Sequence, residues 1–296
     1  MRKRNLFLLI IFTIIYFSFA DVRAKKLPVI YGRDDRVAIG ASPHRDFQKL
    51  GRSTLAMISR QSIHYEYSGL LFSLQGPTLQ DNMGVCQGEK FATYPTYSLC
   101  SGFLISSKHM LTAGHCIKGA ADCALNKWMF DYRQELTSSA EKTYYDTNNL
   151  FSCEKVIRRA YDVHTKLDFA LIELDREVEG RAPLQYRKTG KVADGRGVFV
   201  IGHPSGLPSV VADNAHVRDN SHEIFFSTNL DTFSGNSGSA VFNADSGLVE
   251  GILVRGENDY KFDTERDCFV PFTCQNESCR GEEATRIVGI FDLSDL

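Results

Sequence analysis

Three residues of this chain have the types and surroundings needed for acyl-transfer chemistry: His115, Asp168 and Ser237. Ser237 lies in DTFSGNSGSAV (Asp231 to Val241), where the glycines permit a tight turn that other residues resist. A serine hydroxyl is a weak nucleophile until an adjacent base takes its proton, and small residues alone read equally well as a flexible polar turn. His115 stands at the end of CSGFLISSKHMLTAGHC (Cys100 to Cys116). A Cys100–Cys116 bridge would close a loop of about 15 residues, contribute ~3 kcal/mol in the chain-entropy picture, and fix the backbone beside the imidazole. Asp168 opens the apolar run DFALIEL. A carboxylate there is costly to bury unless hydrogen-bonded. An imidazole N–H meets that need, and the carboxylate in turn holds the ring in the tautomer of a general base. The backbone N–H groups of Gly235 and Ser237 can converge on one point and stabilise a developing oxyanion.

The elements that must position these groups read as short strands. SGFLIS, DFALIEL, GVFVIG, EIFFST, GSAVF and GLVEGILV are apolar runs broken by Gly, Pro, Asp and Asn, a pattern that favours an all-β sandwich or barrel. DFALIEL sets Phe169, Leu171 and Glu173 on one face and Ala170, Ile172 and Leu174 on the other, so it is nearly apolar on both and belongs in the interior. QYRKTGKVADGRG (Gln185 to Gly197) is the best linker between two strand-rich halves. The stretch from Gln61 to Leu99 reads as a hairpin with a long loop around QGPTLQDNMG.

The 296 residues suffice for one large domain or two modest ones, and apolar and charged fractions of 43% and 24% are those of a globular protein. Residues 1–20 stand apart. Arg2, Lys3 and Arg4 precede an apolar run, and Ser18 and Ala20 occupy the small-residue positions of a cleavage site, so this is a signal peptide. The competing reading is an uncleaved anchor, for which the run is shorter than the ~20 residues that cross a bilayer. Removing the leader takes the net charge from −2 to about −5, which argues against nucleic acid as a partner. No stable membrane association is expected after that removal. All eight cysteines follow the leader, and with an export signal an even count reads as disulfides. Zinc at Cys268, Cys274 and Cys279 is the alternative, but their spacings lack the C-x₂-C pairs of common structural sites.

Taken together, TAGHC, DFALIEL and GNSGS, in the order His, Asp, Ser, resemble the chymotrypsin/trypsin-like serine proteases; the order separates them from subtilisin and α/β-hydrolase types. GNSGS and IGHPSGLP (Ile201 to Pro208) are closer to the bacterial glutamyl-endopeptidase branch. The resemblance spans roughly residues 31–296 and implies two six-stranded antiparallel β-barrels, about 31–185 and 195–296, with the active site in the cleft between them; residues 21–30 form a pro-segment or lead-in. It also implies an endopeptidase acting on protein or peptide substrates; with the leader, the expectation is a secreted protein, extracellular or periplasmic, that is a monomer with no cofactor and no metal. His115 is then the general base, Asp168 its orienter and Ser237 the acylated nucleophile.

Three positions depart from that family. The animal enzymes carry an aspartate before the nucleophile, which pairs with a new N-terminus; Asn236 has no charge and cannot do so, although Lys25-Lys26 remains a site for processing. The residue six before the nucleophile implies a pocket base, here Asp231, with Thr232 beside it, which predicts cleavage after Lys or Arg unless an arginine such as Arg255 neutralises it. Glutamyl specificity is weakened because Leu253 stands where those enzymes use a histidine. A serine that supports the triad aspartate in animal enzymes is replaced in the Leu253-Val254 strand, so the support for Asp168 must come from backbone N–H groups near Thr112 to His115. Val254 to Gly256 is suited to pairing with an extended substrate. The other classes of function are a catalytically silent binding homologue and an esterase using the same acyl-enzyme chemistry.

Overall fold

Alternating and doubly apolar runs give the chain its strands, and a computed structural model describes their arrangement for residues 30–134, 143–275 and 279–291. The leader and most of the lead-in lie outside these described residues. The chain begins with β1 (Ile30–Tyr31), β2 (Val37–Ala38) and the short helix α1 (Arg45–Gly51). There follow β3 (Thr54–Ser59), β4 (Ile63–Tyr65), β5 (Leu71–Leu74), helix α2 (Leu79–Met83), β6 (Ser98–Leu104) and β7 (His109–Thr112). Helix α3 (Ala120–Leu125) leads to β8 (Asn126–Phe130), β9 (Tyr144–Asp146), β10 (Leu150–Tyr161) and β11 (Asp168–Leu174). The second half contains β12 (Gly197–Gly202), β13 (Val210–Asp219), β14 (Phe225–Thr228), β15 (Ala240–Asn243) and β16 (Val249–Arg255). It ends with the hairpin β17 (Tyr260–Asp263) and β18 (Cys268–Pro271), then β19 (Thr273–Cys274) and β20 (Glu282–Arg286).

Two closed antiparallel barrels result. The first runs in the order β10-β11-β7-β6-β3-β8. The second is the ring β12-β15-β16-β20-β14-β13, closed by the β12–β13 pairing, with β2 added at the edge of β13. Closure removes the unpaired edges that open sheets expose. Both faces of β11 are buried apart from a partly exposed Glu173, as its apolar alternation required. One apolar cluster is continuous between the barrels, joining Phe103, Leu111, Trp128 and Phe169 of the first to Phe199, Phe242 and Ile252 of the second. The barrels therefore share a core, and the loops at their junction are held by it.

The linker expected over 185–197 carries no named strand before Gly197. Two boundaries differ from the sequence reading. Residues 30–38 belong with the second barrel rather than the first, because β1 pairs with β19 and β2 with β13. The expected loop around QGPTLQDNMG also contains helix α2, whose start is capped reciprocally by Thr78 and Asp81. The hairpin in this stretch is β4–β5, which turns at residues 66–70 rather than around QGPTLQDNMG; that segment follows β5, and β9 is the hairpin's third strand.

Eight cysteines make four disulfides: Cys86–Cys268, Cys100–Cys116, Cys123–Cys153 and Cys274–Cys279. The clustered Cys268, Cys274 and Cys279 fall into two bridges, so they offer no thiolates to zinc. Four bridges fit an oxidising compartment. Among the described residues no helix is long and apolar enough to cross a membrane.

Candidate active site

His115 follows the end of β7, and Gly114 before it is required by close approach: a Cβ there would sit 1.9 Å from the Ala160 carbonyl oxygen and 2.7 Å from that of Phe169. This brings the turn down onto the start of β11. The His115 backbone N–H donates to Asp168 Oδ1 at 3.1 Å, and its Nδ1 lies 2.8 Å from Oδ2. Asp168 is 1% exposed, whereas the His115 side chain is partly open to solvent. A buried carboxylate with two such partners is satisfied, and it fixes the ring with Nδ1 protonated and Nε2 free to accept. The backbone donor comes from within the stretch to which the sequence pointed.

The Ser237 turn comes from the second barrel and meets the first at Ser101 and at Cys116, the residue after His115. Ser101 N–H donates to the Ser237 carbonyl at 2.8 Å, and Cys116 Sγ lies 3.7 Å from the same oxygen. Gly238, at φ +91°, presses against the end of β7, where a Cβ would meet Thr112 Oγ1 at 2.3 Å. The Cys100–Cys116 bridge thus ties β6 to the residue after His115 at the point where the two barrels touch. Its two sulfurs and His115 are close enough together to resemble a metal site, but bonded sulfurs are not thiolate ligands.

Within the turn, Asn236 is buried and its N–H donates to Phe233 O, while Ser239 N–H donates to Asn236 O. The N–H groups of Gly235 and Ser237 have no partner among the described residues. Two free donors beside the serine hydroxyl are what an oxyanion site requires.

A cavity of about 240 Å³ opens at Ser237. Thr232, Val254 and Gly256, expected to contact substrate, line it; so do Ser234, Glu257, Asp259 and Glu282. Asp231 does not. Its Oδ1 accepts from Tyr31 N–H at 2.8 Å and its Oδ2 from Asp35 N–H at 3.1 Å, so the carboxylate fastens the N-terminal segment instead of forming the pocket base. Burial lifts it to about 7 against those two donors. Arg255 does not neutralise Asp231 either: its Nε donates to Glu283 at 2.6 Å and its NH1 to the Lys166 carbonyl at 3.0 Å, across the cleft.

Three acids line the cavity, Glu257, Asp259 and Glu282, and the most buried is Glu282, at the start of β20. It accepts from Thr232 Oγ1 and, at 3.2 Å, from Glu257 N–H, and Gly256 leaves room for it. Burial pushes its carboxyl up to about 8, partly opposed by those donors and reinforced by Asp259 and Glu257. The sequence reading missed this residue. GEEATR signals only an acidic strand start, and which of its two acids faces the cavity depends on register with β16 and β14.

The family model described as trypsin-like peptidase domain matches residues 100–252, just over half of the chain. Among solved structures, a Glu endopeptidase bound to MPD is 14% identical and superimposes with a TM-score of 0.49 over 88% of this chain and 94% of that one. VesB protease of Vibrio cholerae is 13% identical, with a TM-score of 0.47 over 80% and 60% of the two chains. Human heparin binding protein is 15% identical, with a TM-score of 0.49 over 88% and 92%. No curated protein sequence matches the chain.

Proposed function

The chain belongs to the trypsin-like peptidase family, and from that premise we propose that it is an exported serine endopeptidase that cleaves after Lys or Arg. The observation that carries the reading is the buried Asp168 bonded to His115 Nδ1 beside the Ser237 turn. Ser237 Oγ attacks the scissile carbonyl and passes its proton to His115 Nε2. Asp168 stabilises the imidazolium without taking the proton. The oxyanion is held by the N–H groups of Gly235 and Ser237. As the tetrahedral intermediate collapses, the C–N bond breaks and His115 returns the proton to the leaving amine. Water, activated by the same histidine, then releases the acid and restores Ser237.

Substrate lies along Val254 to Gly256 as an added strand, and its side chain before the scissile bond enters the cavity toward Glu282. A buried carboxylate favours a cationic side chain there and disfavours Glu. The preference expected from the sequence is thus kept, with Glu282 in place of Asp231. Export is supported by the leader of residues 1–20 together with four disulfides.

The test is labelling of mature, oxidised protein by a fluorophosphonate. The wild type takes the label and Ser237→Ala does not; an unlabelled wild type overturns the reading. Profiling on a peptide library checks the pocket, with Lys or Arg expected before the cut.

A further inference from the structure

Asn236 leaves open how the turn before Ser237 keeps its shape without an ion pair. Ser234 supplies the answer. Its carbonyl accepts from Ser205 N–H at 2.5 Å, and its own N–H donates to Asp259 Oδ2 at 2.9 Å. A trans peptide is planar, so a carbonyl fixed on one side drives the following N–H to the other. With Ser234 C=O bonded to Ser205, the Gly235 N–H points away from it, and that is one of the two unpartnered donors.

The two groups that grip Ser234 are themselves joined. Ser205 Oγ lies 2.8 Å from the hydroxyl of Tyr260, the residue after Asp259. Tyr260 packs on Phe233 with ring centroids 5.1 Å apart, and the hairpin it begins is anchored to the body by Cys86–Cys268. Ser205 sits at φ 52°, a left-handed conformation that costs a serine energy and persists only where its surroundings impose it. Gly235 fits under the same turn, where any Cβ would lie 2.5 Å from His203 O. His203 is buried, with Nδ1 3.0 Å from Leu207 O, and burial lowers it to about 4, so it stays neutral and closes the turn rather than titrating.

We infer that Asp259, Tyr260 and Ser205 form a clamp on Ser234 that presets the oxyanion donor Gly235 N–H, replacing the ion pair that Asn236 cannot make. Asp259 and Tyr260 are positioning residues, acting through the Ser234 and Ser205 backbone. The inference rests on the serine peptidase reading and adds to it how the site is kept competent. Burial lifts Asp259 to about 6, so at pH 8 it is ionised and a full acceptor for Ser234 N–H.

The experiment compares wild type, Asp259→Ala, Asp259→Asn and Tyr260→Phe at pH 8. It measures kcat and KM on one peptide substrate, and inhibition by the matching peptide aldehyde, whose hemiacetal oxygen enters the oxyanion site. Outright loss of an oxyanion donor costs about 10²–10³ in kcat, and a donor that is only misdirected costs less. Asp259→Ala is expected to lose about 10- to 100-fold in kcat, with the aldehyde weakened by a similar factor; because Asp259 also lines the cavity, the criterion of constant KM is read from Tyr260→Phe, whose side chain does not. Asp259→Asn keeps an oxygen acceptor and restores most of the activity. If Asp259→Ala does not fold, Tyr260→Phe removes only a hydroxyl, and a lower kcat at constant KM is expected. Unchanged kcat in the folded variants, or a loss confined to KM, overturns the clamp. A wild type that takes no fluorophosphonate overturns the peptidase reading and the clamp with it, whereas a labelled wild type with unaffected variants overturns the clamp alone.

Discussion

Replacing Glu282 by Gln keeps the volume and the oxygen that meets Thr232 while removing the charge. Removing one partner of a buried ion pair costs about 3–5 kcal/mol, or about 10²- to 10³-fold and somewhat more in kcat/KM for a cationic substrate. In the free enzyme Glu282 ionises at about 8. At pH 7 only about a tenth of the molecules carry the charge, and ionising the rest costs about 1.4 kcal/mol. The effect of Glu282→Gln is therefore about 2–4 kcal/mol at pH 7 and reaches its full size above about pH 9. The assay takes matched peptides with arginine or citrulline before the scissile bond and measures kcat/KM from pH 6 to 10. Arginine stays charged throughout, and any ionisation that affects both substrates alike cancels in their ratio. In the wild type the arginine-to-citrulline ratio rises about tenfold per unit below pH 8 and then levels, because kcat/KM reports ionisations of the free enzyme. In Glu282→Gln the ratio is low and lacks the rise that levels near pH 8. A ratio that Glu282→Gln leaves unchanged refutes the assignment of Glu282 as the pocket acid, and a flat wild-type profile refutes its raised ionisation.

Other consequences follow from the same geometry. Asp168→Asn leaves the His115 ring without the acceptor that sets its tautomer and lowers kcat by about 10⁴-fold, with folding retained by circular dichroism. Gly114→Ala forces a methyl into the Ala160 carbonyl; thermal unfolding shows a loss of about 3 kcal/mol or more, and activity falls with it. For Asp231 the folded pKa of about 7 lies above the ordinary value of 3.8, so the folded state holds its proton more tightly. Its contribution to stability is fully present below about pH 4 and is lost as pH rises toward 7. Urea unfolding of wild type and Asp231→Asn should therefore show the variant gaining relative stability across that window. A difference that does not change with pH contradicts the assignment.

Much of this protein is legible in its sequence because the signals are local. The period-two and doubly apolar runs of DFALIEL and GVFVIG mark strands that the structure reproduces at Asp168–Leu174 and Gly197–Gly202. The glycines flanking Ser237, and Gly114 beside His115, mark close approaches by residue type alone. Chain order is enough to connect His115, Asp168 and Ser237 to one family. Cysteine count gives disulfides, but not the partners of Cys86 or Cys123, because pairing depends on distances that only folding sets.

What the tertiary structure decided is where the charges point. Asp231 and Glu282 are both acids near the second-barrel cleft, and sequence position favours the first. Pairing of β1 with β19 brings the backbone of residues 31–35 onto Asp231 and spends its carboxylate there, while the β16–β20 register sets Glu282 at the cavity wall. The turn around Ser205 and the hairpin at Asp259 meet on Ser234 from positions far apart in the chain. A side chain's type is written in the sequence, but its partner is chosen by the packing of segments remote in sequence, and for a buried acid the partner determines its role.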